Sequence, residues 1–216
     1  MLTIGMEELE RARRLQEESA KLHLPSPPVT SFKISRKENN GKIKDLIYAK
    51  SNSYVRNAYN MLTQDLTFSS DEVSNGFYFG DGAISYQSTA GSIRRTPSRR
   101  YSGGELDIDL RLGTNGTPDT LDDTTLDEVP TTDWSGSLDR YSMFDPSSRR
   151  FITLITRNMA NRSDTTTYEI KESGIYINPS GAYYLAIRDT FPPVIFAPGD
   201  SITFTYQLEV YYPPDI

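Results

Sequence analysis

Residues Ser201 to Tyr212 alternate without a break: Ile202, Phe204, Tyr206, Leu208, Val210 and Tyr212 hold one parity, Ser201, Thr203, Thr205, Gln207, Glu209 and Tyr211 the other. Only a strand with one buried face sorts its side chains with a period of two. Burying five or six such apolar side chains contributes on the order of 10 kcal/mol, at about 1.5–3 kcal/mol each. Ordering the backbone of a dozen residues costs about as much, so the strand must share its core with a second layer. Upstream, Phe151 to Met159, Tyr168 to Ile177 and Tyr183 to Thr190 read as three more strands, separated by turn chemistry at Asn178-Pro179-Ser180-Gly181 and Pro198-Gly199. Together they predict a four-strand meander within a mainly β fold, an antiparallel β-sandwich of jelly-roll or immunoglobulin-like kind.

Length and charge narrow the classes. With 216 residues the chain is long enough for one sizeable β domain plus an appendage, or for two small domains; the first is the favoured reading. Its 14 Tyr and 9 Phe suit pleated surfaces more than helix packing. The net charge of -6 gives the whole chain no electrostatic drive towards nucleic acid or an anionic membrane. There is no cysteine, and His23 is the sole histidine. That removes thiolate nucleophiles, Cys/His zinc sites and any Ser-His-Asp triad inside the β domain. The N-terminus has neither a basic start nor a long apolar run, so neither a signal peptide nor a transmembrane segment is expected.

Along the chain, Met6 to Leu22 is rich in helix formers, with acid-before-base pairs at Glu7/Arg11, Glu10/Arg14 and Glu17/Lys21. Its apolar stripe, Met6, Leu9, Ala12, Leu15 and Leu22, is narrow and drifts around the helix. A stiff spacer follows at Leu24-Pro25-Ser26-Pro27-Pro28. The reading is a helical arm over 1–28, held off the β-sandwich domain of 29–216, that either stays a solvated, frayed helix or docks on a neighbouring subunit through Leu9 and Leu15. Asn39-Asn40-Gly41 between strand-like runs predicts a hairpin. Ser53 caps a helix with Val55, Ala58, Tyr59, Leu62 and Leu66 on one face, and Asn75 to Tyr86 reads as a strand pair. Arg94, Arg95, Arg99 and Arg100 form a local basic patch in a Ser/Thr/Pro/Gly loop, a second candidate assembly contact. Only Tyr101 stands near for base stacking, which argues against nucleic acid. Glu105 to Leu112 alternates as another strand, and Gly113 to Trp134 is a long polar structured loop.

The residues that invite chemistry carry little of it. Asp119, Asp122, Asp123, Asp127 and Glu128 supply the oxygen ligands calcium takes, but lack EF-hand spacing; Asp and Thr capping their own turns account for them. A chain with 29 acids offers many accidental carboxylate pairs of the glycosidase kind. The spacing of Gly76, Gly80 and Gly82 is not that of a phosphate-binding loop. No catalytic, cofactor or metal residue is assigned, and no enzyme is expected.

Three stretches together resemble a family of structural proteins from tailed-bacteriophage virions. The first is Lys50-Ser51-Asn52-Ser53-Tyr54-Val55-Arg56-Asn57-Ala58-Tyr59-Asn60. The second is Leu112-Gly113-Thr114-Asn115-Gly116-Thr117-Pro118 with Leu121-Asp122-Asp123 and Leu126. The third comprises Asn158, Tyr168-Glu169-Ile170, Gly174-Ile175-Tyr176, Leu185-Ala186-Ile187-Arg188-Asp189, Pro198-Gly199-Asp200 and Thr203-Phe204-Thr205-Tyr206, with Ile187 where that family places a small residue. The resemblance spans residues 30 to 212. It implies a structural subunit of the virion without catalysis or cofactor, foremost in the neck or tail, as a homo-oligomer contacting portal, neck, tail or capsid subunits. Capsid decoration or a head fibre is the near alternative. The other class is a receptor- or carbohydrate-binding fibre module, for which Tyr183, Tyr184, Tyr211 and Tyr212 offer sugar-stacking rings.

Overall fold

The structure is a computed structural model that describes residues 1–22, 28–37, 41–51, 77–78, 84–85, 107–120, 123, 125–129, 134–178 and 183–211. The fold is mainly β, as the alternation predicts. Its elements in chain order are β1 (Leu2–Ile4), α1 (Met6–Lys21), β2 (Val29–Lys37), β3 (Ile43–Lys50), β4 (Phe77–Tyr78), β5 (Ile84–Ser85), β6 (Asp107–Gly113), β7 (Trp134–Ser135), β8 (Leu138–Asp145), β9 (Arg150–Asn161), β10 (Tyr168–Asn178), β11 (Tyr184–Phe196) and β12 (Ser201–Tyr211). The chain divides into two compact units. One comprises Met1–Asn52, Pro130–Thr167 and Phe196–Ile216, the other Ser53–Val129 and Tyr168–Ile195.

The first unit is a seven-stranded sheet in the order β1-β3-β2-β12-β9-β7, with β8 also on β9. The expected hairpin is present: β2 and β3 pair antiparallel, and Gly41 has φ of 81°, where a Cβ would be strained. β12 lies between β2 and β9, antiparallel to both. Its Ile202, Phe204 and Tyr206 are buried together with Phe32, Ile34, Ile155 and Met159, as the parity predicts. Val210, at the far end of the same face, is exposed. The turn before β12 closes with the Asp200 amide donating to the Ala197 carbonyl at 3.0 Å, and Gly199 has φ of 79°. That is the type II turn read from Pro198-Gly199.

The meander is not what forms. β9 and β12 are neighbours in this sheet, whereas β10 and β11 belong to the second unit's three-stranded sheet, ordered β11-β10-β6. Alternation reports which face of a strand is buried and is silent on its neighbour. In this second sheet β6 and β10 run antiparallel, with Leu110, Leu112, Ile170, Ile175, Tyr176, Leu185 and Ile187 buried. The unit also holds the short β4–β5 pair, within the stretch read as a strand pair.

The N-terminal arm needs a second correction. α1 forms where expected, but it packs on the first unit's own sheet, against β2, β3 and β12. Leu9 is fully buried and Gln16 nearly so. The reason is polar. Gln16 donates to the Glu209 carbonyl at 3.0 Å and accepts from Arg150 at 2.7 Å, and Glu17 accepts from Arg150 at 2.6 Å. Arg13 forms an ion pair with the buried Glu209 carboxylate. A count of apolar residues misses a docking face held by charge-assisted hydrogen bonds. The helix's surface ion pairs also differ from those read: Arg13 pairs with Glu10 and Lys21 with Glu18, each three residues apart. The helix read over Ser53 to Leu66 lies outside the described residues.

Candidate functional site: a buried arginine–carboxylate cluster

In the second unit parts of two of the three segments quoted above meet around one side chain. Glu172, fully buried on β10, lies opposite Gly113 of β6 in the strand register. A Cβ at Gly113 would stand 2.7 Å from the Glu172 Cγ, so only glycine lets the carboxylate cross this strand. One Glu172 oxygen accepts the backbone amides of Asp127 at 2.8 Å and Asn115 at 3.3 Å; the other accepts Arg188 Nε at 2.8 Å.

Arg188, on β11, has its side chain only 4% exposed. Beyond Glu172 it donates to the Asp123 carboxylate at 2.7 Å, the Pro118 carbonyl at 3.4 Å, and the Thr117 carbonyl and hydroxyl at 3.1 and 3.2 Å. A guanidinium has five N–H donors, and each finds an acceptor here. Burial works to raise the Asp123 carboxyl. The Thr120 amide, the Arg188 guanidinium and the Thr120 hydroxyl outweigh it and hold the group below the ordinary carboxylate range.

Two contacts complete the frame. The Tyr176 hydroxyl accepts the Leu126 amide at 3.0 Å, and burial pushes this phenol up to about 12. The Leu126, Tyr176 and Leu185 side chains form one buried cluster. Arg111 bonds Asp109 at 2.8 Å and Glu128 at 2.9 Å, with its guanidinium carbon 4.5 Å from the Tyr176 ring centroid and 4.9 Å from that of Tyr183.

Chemically this arrangement fastens a loop. Of the carboxylates read as a possible calcium set, Asp122 lies outside the described residues and the other four are engaged otherwise: Asp119 accepts from Thr190, Asp123 from Arg188 and Thr120, Asp127 from Thr114 and Glu128 from Arg111. No group of metal-ligating side chains occurs among the described residues. Tyr184 is buried, and Tyr183, 37% exposed, lies against Arg111. Of the candidate assembly residues, Leu9 is buried inside its own unit and so cannot meet a neighbour, while Leu15 is 58% exposed. Arg94, Arg95, Arg99 and Arg100 lie outside the described residues. Glu172, the hub of the cluster, was missed because it sits in a charged run, Glu169-Ile170-Lys171-Glu172, that reads as solvated. The signal for it was Gly113, a glycine closing an otherwise regular strand. No family model, curated protein or solved structure matches the chain.

Proposed function

We propose that the chain is a non-enzymatic structural subunit of a tailed-phage virion, placed in the neck or tail and held there by subunit contacts. One observation carries the reading. Thr117, Asp123 and Arg188, drawn from the segments that resemble the virion family, turn their polar atoms on one another, on Glu172 and on the backbone, with no Arg188 donor left for a substrate. Such residues shape a loop; they do not turn over a ligand. The lone histidine stands at position 23 of the sequence, and among the described residues no helix is long and apolar enough to cross a membrane.

The test is to purify particles of the phage that encodes the chain, identify their proteins by mass spectrometry, and cross-link them. The expected result is the chain in the particle, linked to portal, neck or tail subunits. Links to capsid protein alone would move the reading to head decoration. Absence from the particle, or hydrolysis of a polysaccharide or peptide by the purified chain, would overturn it.

A further inference from the structure

Among the described residues one edge of the seven-stranded sheet is formed by β7 and β8. β7 and β8 follow one register on β9, Trp134 opposite Asn161 and Leu138 opposite Arg157. At Gly136 a Cβ would overlap the Asn158 carbonyl oxygen, so glycine alone permits the close approach there. Among the described residues β8 pairs with β9 alone. All of Asp139 to Phe144 is exposed, including Tyr141 at 61%, Met143 at 39% and Phe144 at 47%. Proteins blunt such edges with charged side chains, above all lysine, with proline or with a covering element; β8 carries Asp139, Arg140 and Asp145 but neither lysine nor proline, and its centre, Tyr141 to Phe144, is uncharged. Phe144, Phe151 and Val210 stand opposite one another on three adjacent strands, all exposed, so an apolar row runs inward from this edge.

We propose that β8 pairs with β8 of a second copy, antiparallel about a two-fold axis at Tyr141. Symmetry restricts the choices. An antiparallel edge pair related by a two-fold must have its axis normal to the sheet, which keeps each face continuous and pairs residues of equal parity. Centring on Arg140 sets that arginine against itself, and centring on Ser142 sets Asp139 against Asp145 twice. Centring on Met143 brings Pro146 opposite Arg140. Centring on Tyr141 places Leu138 opposite Phe144, Asp139 opposite Met143 and Arg140 opposite Ser142, with no like charges facing. The row Val210–Phe151–Phe144 then continues onto Leu138 of the second copy. Eight residues a side are about a third of the ~20–30 in a standard interface. The pair is therefore weak in dilute solution and fills at the local concentrations of an assembly. This extends the assembly reading, but the purified chain tests it without a particle, so its failure leaves that reading standing.

The chain has no cysteine, so Tyr141→Cys introduces a single thiol. Residues directly opposite in an antiparallel pair have Cα atoms ~4.5–5.5 Å apart, inside the disulfide range of about 4.4–6.8 Å. Met143 would lie four residues from its own copy, ~13 Å along the strand. Under mild oxidation Tyr141→Cys should give a disulfide dimer, Met143→Cys alone should not, and Met143→Cys mixed with Asp139→Cys should. Sedimentation of the unmodified chain should show a concentration-dependent dimer, weakened at least about tenfold by Tyr141→Lys, with the thermal melt of that variant unchanged. Equal cross-linking at positions 141 and 143, no cross-link at 141, or a monomer at every concentration would overturn the proposal.

Discussion

At the scale of residues, Arg188 and Glu172 decide the behaviour of the second unit. Removing one partner of a buried, saturated ion pair leaves the other charged in a low-dielectric site, which costs about 3–5 kcal/mol. Arg188→Met should lower the chemical-denaturation midpoint accordingly, and adding Glu172→Met should recover much of the loss, because the stranded charge goes with it. Equal destabilisation by the single and double variants would show that the guanidinium matters for packing rather than for pairing. The same cluster bears on acid stability. Asp123 titrates lower in the folded chain than unfolded, so its contribution is present above the ordinary carboxylate pKa of about 3.9 and is lost as pH falls through the folded value. Asp123→Asn should therefore lose stability at neutral pH and flatten the acid limb of the melting curve below about pH 4. Arg188 and Asp123 stood out in the sequence as motif residues. Their mutual contact did not, because an ion pair between positions 65 apart depends on strand register.

At the scale of elements, α1 measures what periodicity can and cannot reveal. Its existence was legible in the run of Glu, Arg, Leu and Gln. Its docking was not, because Gln16, Arg13 and Glu17 look like a solvated face until Glu209 and Arg150 are brought beneath them. Glu209 itself sits on the polar parity of β12 yet is buried, so the helix covers part of the face that the alternation assigns to water. Leu9→Ala should cost about 2–5 kcal/mol, as a fully buried leucine does. Trypsin is the sharper probe, since Arg11 and Arg14 are exposed but helical, and cleavage requires the helix to open first. The intact protein should lose residues 1–21 slowly, and Leu9→Ala should lose them at least about tenfold faster at equal protease, a ratio set by the opening equilibrium. Rapid trimming of the unmodified chain, leaving an unchanged melt for the remainder, would show that the helix is detachable after all.

At the scale of the whole molecule, the order of assembly follows from where β12 sits. It is the last strand among the described residues and lies between β2 and β9, with Thr30 and Thr153 both opposite Leu208. Neither compact unit is one continuous stretch, so the chain cannot complete its sheets from the N-terminus forward. Such non-local pairing puts loop-closure entropy ahead of the contacts that repay it and makes folding slow. A chain ending at Gly199 should therefore leave β2 and β9 as two open edges with no strand between them, which is the condition that drives strand-to-strand aggregation. Hydrogen exchange on this truncated chain should find amides of β2, β3 and β9 unprotected. The readout within 107–113 and 168–195 then reports whether the second unit stands without the first. Native-like protection of β2 and β9 in the truncated chain would mean that those strands pair directly, and that β12 is added to a finished sheet instead of completing it.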